Sequence, residues 1–171
     1  MTRAAKVIHV VQGENAISDD EDVMITTVLG SCVSACICDA DRGIGGMNHF
    51  LLPEDGPGGT DIRYAAAALE QLVNGLMRRG AARGRMRAKL FGGARMMAGL
   101  PDIGRRNAEA AQRFLQAEGI ALIACDLGGV QARRIRLWPV SGRVQLQFVG
   151  AAQLPARETP MRLRAPEAEL F

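Results

Sequence analysis

The stretch Gly30-Ser31-Cys32-Val33-Ser34-Ala35-Cys36-Ile37-Cys38-Asp39-Ala40-Asp41-Arg42-Gly43-Ile44-Gly45-Gly46-Met47-Asn48-His49-Phe50 decides how this chain is read. Its middle, Asp39 to Gly43, is rich in turn formers and separates two runs of apolar and small residues. Each run has the length of a strand, so the pattern predicts two antiparallel strands joined by a short turn. Cys32 opens the first run just after a Gly-Ser turn, and His49 lies near the end of the second. An antiparallel pair of this spacing can bring both side chains to one end of a sheet. A thiolate attacks a carbonyl carbon far better than a thiol does, and a nearby imidazole is a common means of generating one. The chain has only two histidines, and the other, His9, lies near the N-terminus. The residue types point to a cysteine hydrolase.

Outward from this pair, residues 7–11 and 23–28 also read as strands, linked by a polar, acidic stretch at 18–22. Gly56, Pro57, Gly58 and Gly59 make 54–60 a flexible loop. A helix capped by Thr60 or Asp61 follows, running to about residue 79. Its Ala65, Leu69, Leu72, Val73 and Leu76 fall on one stripe, and Gly80 can stop it. A strand at 88–91 ends in Gly92-Gly93. A second helix at about 107–118 turns Ala108, Ala111, Phe114 and Leu115 inward and stops at Gly119. Strands at 121–125, 133–138 and 144–149 complete the pattern, with Ser141-Gly142 as the last hairpin turn. Strands, helix, strand, helix, strands is not the regular alternation of a doubly wound sheet. It predicts a mixed α/β domain of α+β type, with much antiparallel sheet, over residues 1–150. The segment 151–171 carries three prolines and mixed charge and reads as a poorly ordered tail or a late-docking segment.

The 171 residues are 48% hydrophobic and 23% charged, ordinary for one globular domain. The net charge of +3 is mild. Arg78, Arg79, Arg83, Arg85, Arg87 and Lys89 cluster, but one Trp, one Tyr and no recognisable motif argue against a nucleic-acid surface. A solvated basic loop is the plainer reading, and a docking surface for an acidic helical protein is a further one. No apolar run approaches the roughly 20 residues of a membrane span. The first apolar run is too short for a signal-peptide core, so the cytoplasm is the expected compartment. Four cysteines do not suggest a disulfide scaffold there.

The segment Thr26-Thr27-Val28-Leu29-Gly30-Ser31-Cys32-Val33, followed by Gly45-Gly46-Met47-Asn48-His49-Phe50-Leu51-Leu52-Pro53, resembles the signature of the CheD family of chemoreceptor glutamine deamidases. The resemblance continues through Lys89-Leu90-Phe91-Gly92-Gly93-Ala94, Ile103-Gly104-Arg105-Arg106-Asn107, Asp126-Leu127-Gly128-Gly129 and Ala132-Arg133. It spans roughly the first 150 residues in order. It implies a β-sandwich-like core flanked by helices, and a protein-glutamine deamidase acting on the cytoplasmic helices of methyl-accepting chemoreceptors. It implies Cys32 as nucleophile, His49 as the base that activates it, and Thr26 as the active-site threonine. Members of that family can bind a CheC-like phosphatase, which makes such a partner a further expectation, while composition and the lack of a long apolar run leave no nucleic acid and no insertion into a membrane expected.

The residues leave other readings open. Thr27 is adjacent to Thr26, and strand alternation turns only one of the two inward. If Cys32 and His49 form an ion pair, the thiol is expected to react below its ordinary value of about 8.5. Asn48, or the backbone N–H groups of Ser31 and Cys32, can serve as an oxyanion hole. Cys32, Cys36 and Cys38 share one strand face, so a zinc-bearing structural domain with His49 as fourth ligand is a rival. Ligands along one straight strand diverge, which favours Cys36, Cys38 and Cys125 as small core residues. A regulatory binding module working through the CheC-like partner is the second rival. The deamidase chemistry itself requires no metal and no organic cofactor.

Overall fold

A computed structural model describes residues 4–51, 58–99, 102–150 and 169–171, with backbone alone at 58–62 and 169. In chain order its elements are β1 (Lys6–His9), β2 (Asn15–Ser18), β3 (Val23–Leu29), β4 (Val33–Asp39), β5 (Ile44–Asn48), α1 (Gly58–Arg78), β6 (Arg87–Gly92), α2 (Ile103–Glu118), β7 (Ala121–Leu127), β8 (Ala132–Trp138), β9 (Arg143–Val149) and β10 (Glu169–Leu170). A short 3-10 turn at Arg83–Arg85 lies between α1 and β6.

Among the described residues the strands form two five-stranded sheets, in the orders β1-β3-β8-β9-β10 and β2-β5-β4-β6-β7. Pairing is antiparallel except for β1 with β3 and β6 with β7. The mixed, largely antiparallel two-sheet architecture is the one expected.

Strand β4 explains the layering. Every one of its residues is buried, because both of its faces are covered. Val33, Ala35 and Ile37 face α1 and α2, packing with Leu69, Leu72, Leu76, Ala111 and Leu115. Cys32, Cys36 and Cys38 face the other sheet, with Ile25, Leu29, Ile135, Leu137 and Leu146. The order of layers is therefore sheet, sheet, helix pair. A strand covered on both faces has no apolar–polar alternation to show. Burial of one Leu or Ile in either core contributes about 1.5–3 kcal/mol.

The differences from the sequence reading have local causes. Strand β2 was not foreseen: Asn15–Ser18 is only four residues with no apolar run, yet it pairs along β5 from Asn15–Asn48 to Ser18–Gly45. Helix α2 begins a turn earlier than its apolar stripe, because the Asp102 side chain accepts from Arg105 N and caps it. Helix α1 begins at Gly58, inside the stretch read as a loop; residues 54–57 of that stretch lie outside the described residues. Most of the segment 151–171 lies outside them as well. Its last residues dock: Glu169 and Leu170 pair with Leu146 and Gln145 of β9, and the Phe171 ring meets Phe91 edge-on at 5.5 Å.

Candidate active site

The turn before β4 is held from two sides. Gly30 O accepts from Ala94 N at 3.0 Å, and Cys32 O accepts from Gly93 N at 2.9 Å. Gly92 sits so close beneath this turn that a Cβ there would lie 2.2 Å from Cys32 O, and its φ of +107° is left-handed besides. Only glycine meets both demands. Cys32 itself is 3% exposed.

The register places His49 on the same face. The β4–β5 pairing runs from Cys36–Met47, and the bridge Val33–Phe50 continues it. Ser34 therefore stands opposite His49, and Cys32 is its diagonal neighbour, on average about 7–8 Å away between Cα atoms in such pairs. Both side chains face the opposite sheet.

That sheet supplies Thr27. Its Oγ1 lies 2.8 Å from His49 Nδ1 and donates to Val10 O at 2.7 Å. A hydroxyl has one proton, and a carbonyl can only accept. With that proton committed to Val10, His49 Nδ1 must carry its own and donate to Thr27. The network thus assigns the Nδ1–H tautomer and leaves Nε2 with its lone pair. Burial pushes the imidazole down from its ordinary value of 6.5 to about 4, with the Val10 carbonyl working the other way. The resting imidazole is neutral. This disfavours a preformed ion pair and suits a base that takes its proton from the thiol during attack.

Thr26 is not part of this group. Strand alternation turns it away from His49, and its hydroxyl donates to Ile135 O at 2.8 Å. The structure sets Thr27 against His49, on the sheet face that also bears Cys32, where the family resemblance had implied Thr26. Asn48 also points away from Cys32. Its Oδ1 accepts from Ala35 N at 2.8 Å on the helix side of the sheet, so it cannot face an oxyanion formed at Cys32.

The other cysteines divide. Burial pushes the Cys36 thiol far up and that of Cys38 to about 11, so both are protonated core thiols at neutral pH. Cys125 is exposed on the edge strand β7, contrary to the core position expected. Among the described residues no three His, Cys, Asp or Glu side chains are grouped to hold a metal ion. The basic cluster is largely engaged within the chain: Arg79 pairs with Asp19, Arg83 with Glu118, and Arg85 with the buried Asp39. No described helix is long and apolar enough to cross a membrane. A cleft of about 290 Å³ lined by Cys38, Arg85, Arg87 and Lys89 lies at the far end of β4 from Cys32. A smaller cavity of about 150 Å³, lined by Glu14, Asn48, Tyr64 and Gln71, reaches His49.

Two residues of the sequence motifs had no role assigned, and both bear on the turn. Asn107 Nδ2 donates to Ser31 O at 2.9 Å. Arg133, 3% exposed, pairs with Asp126 at 2.7 Å and donates to Gly128 O at 2.7 Å and Gly92 O at 3.3 Å.

Fold and site describe a two-sheet α/β domain with a thiol, an imidazole and a hydroxyl at one end of its inter-sheet core. The chain belongs to the CheD family. The family model described as CheD chemotactic sensory transduction matches residues 51–148. A protein of Caulobacter vibrioides strain NA1000, named probable chemoreceptor glutamine deamidase CheD, is 51% identical over 164 residues, covering 92% of this chain and 87% of that protein. An Acidiphilium cryptum protein of the same name is 50% identical over 170 residues, with 95% and 90% covered. Among solved structures, the Bacillus licheniformis protein YfiH aligns at a TM-score of 0.44 and 14% identity, over 73% of this chain and 60% of its own.

Proposed function

We propose that this protein is a chemoreceptor glutamine deamidase and that Cys32 and His49 carry the reaction, with Thr27 orienting the imidazole. The observation that supports the reading is the bond between Thr27 Oγ1 and His49 Nδ1, which, with the Thr27 proton given to Val10 O, leaves Nε2 free of that bond to serve as the base. Family membership and the names of the relatives support the substrate.

His49 Nε2 takes the Cys32 proton as Sγ attacks the carboxamide carbon of a receptor glutamine. The tetrahedral adduct collapses, the C–N bond breaks, and ammonia leaves with the proton from His49. Water then attacks the thioester, giving up a proton to His49, which returns it to the departing Cys32 sulfur. Glutamate is the product, and one neutral receptor side chain has become negative. The reaction takes place in the cytoplasm, on the receptors' helical bundle. A CheC-like phosphatase belongs to this reading as a regulatory partner whose binding is separable from catalysis.

The test is mass spectrometry of receptor fragments incubated with the protein. It reads the small mass gain of amide-to-acid conversion at glutamine. Conversion by the wild type and none by Cys32→Ala supports the reading. Conversion that survives Cys32→Ala sinks it.

A further inference from the structure

The carbonyls of Gly30, Ser31 and Cys32 are consecutive, and each is held by a different donor. Those of Gly30 and Cys32 accept from the backbone of Ala94 and Gly93. The one between them, that of Ser31, accepts from a side chain, Asn107 Nδ2. Asn107 is wholly buried, within the second turn of α2. That helix is seated hard against the same segment: a Cβ at Gly104 would lie 2.4 Å from Gly93 O. The carboxamide is therefore presented from a rigid base.

We propose that Asn107 is a positioning residue for the nucleophile, fixing the Ser31–Cys32 peptide and thereby the place of Cys32 Sγ relative to His49. This rests on the reading of Cys32 as nucleophile. A peptide unit is planar, so holding the Ser31 oxygen sets the direction in which the chain enters Cys32 and the Cα–Cβ bond leaves it. Displacement of a reacting atom by about 1 Å can cost on the order of 100-fold in rate. The bond that carries this role runs to the Ser31 carbonyl and acts on the nucleophile through the backbone, so its effect belongs in turnover and not in receptor binding.

Asn107→Leu keeps the approximate size and removes the donor; Asn107→Asp keeps the shape and replaces the donor with an acceptor. Leu115→Ala, in the same helix, weakens its packing without touching Ser31 and serves as the control. Each is assayed for receptor-fragment deamidation, with rates referred to the folded fraction from thermal melts, and for Cys32 alkylation by iodoacetamide. Both Asn107 variants are expected to lower kcat by about tenfold or more with KM within about twofold. Their Cys32 alkylation, which needs no receptor, is expected to rise roughly threefold or more as the buried thiol loosens. Leu115→Ala is expected to match the wild type in both on its folded fraction. A wild-type kcat in Asn107→Leu, or an equal loss in Leu115→Ala, overturns the proposal. If the wild type deamidates no receptor fragment, the reading of the function falls; an alkylation rate unchanged in both Asn107 variants still overturns the positioning role independently.

Discussion

Thr27 and His49 come from different sheets and meet at 2.8 Å, and that contact, taken with the bond from Thr27 to Val10 O, assigns which imidazole nitrogen can act as a base. Because the Thr27 proton goes to Val10 O, Nδ1 donates and Nε2 accepts. Replacing Thr27 with Val removes the acceptor while keeping the strand-favouring, β-branched shape. A buried Nδ1–H is then left without its partner, at a cost of about 1–3 kcal/mol, and the ring loses its orientation. Deamidation per folded molecule is expected to fall about tenfold or more in Thr27→Val. Thr26→Val, which loses only the bond to Ile135 O, is expected to stay near wild type. The opposite ranking of the two variants in the mass-spectrometric assay defeats the assignment of Thr27.

The buried imidazole also predicts how stability follows pH. His49 titrates at about 4 when folded and near 6.5 when free of the fold. Between those values the unfolded chain binds the proton more readily than the native one. The contribution is therefore intact above about pH 6.5 and declines as pH falls toward 4, by on the order of 3 kcal/mol in all. Urea unfolding of wild type and His49→Gln across this window measures it: the wild-type slope exceeds that of the variant. Equal slopes mean that His49 is solvated in the native state.

The shared face of Cys32 and His49 in the candidate site was legible in the sequence because their spacing is local. Cys32 and His49 lie on strands joined by one short turn, so alternation and register bring them to one face before any long-range contact is known. Thr27 was harder. Its partner comes from the other sheet, and the choice between Thr26 and Thr27 depends on which face of β3 meets β5, which only packing decides. Strand β2 stayed hidden for a related reason: Asn15–Ser18 owes its strand to an open edge of β5 and not to its own pattern. Cys125 went wrong because β7 is apolar in composition yet lies at a sheet edge, a position fixed by topology.

The four cysteines should separate by reactivity. Native protein treated with a bulky disulfide reagent is expected to label at Cys125, which is exposed, and not at Cys36 or Cys38, which are buried and protonated. Cys36→Ala, Cys38→Ala and Cys125→Ala are expected to retain deamidation on their folded fraction, whereas Cys32→Ala and Cys32→Ser abolish it with little loss of folding. Peptide mapping of the labelled protein gives the order. Labelling of Cys36 or Cys38 before Cys125 would contradict the packing of β4.

Arg133 ties the support of the site to stability. Its guanidinium is buried, paired with Asp126, and aimed at the carbonyls of Gly128 and Gly92, while its Cζ lies over the Phe148 ring, 5.3 Å from the centroid. Gly92 is the residue on which the Cys32 turn rests. Removing the carboxylate alone leaves the buried Arg133 cation without its counter-charge, which is worse than removing the pair, because desolvation of the remaining charge is no longer offset. Asp126→Ala is therefore expected to destabilise the fold by about 3 kcal/mol or more, and Asp126→Ala with Arg133→Met by less. The surviving folded fraction of Asp126→Ala is also expected to lose deamidation, since Gly92 and the turn above it share the displaced guanidinium. Urea unfolding of the two variants gives the comparison, and a double variant less stable than Asp126→Ala would show that the bonds of Arg133 to the glycine carbonyls, and not its pairing with Asp126, hold this corner together.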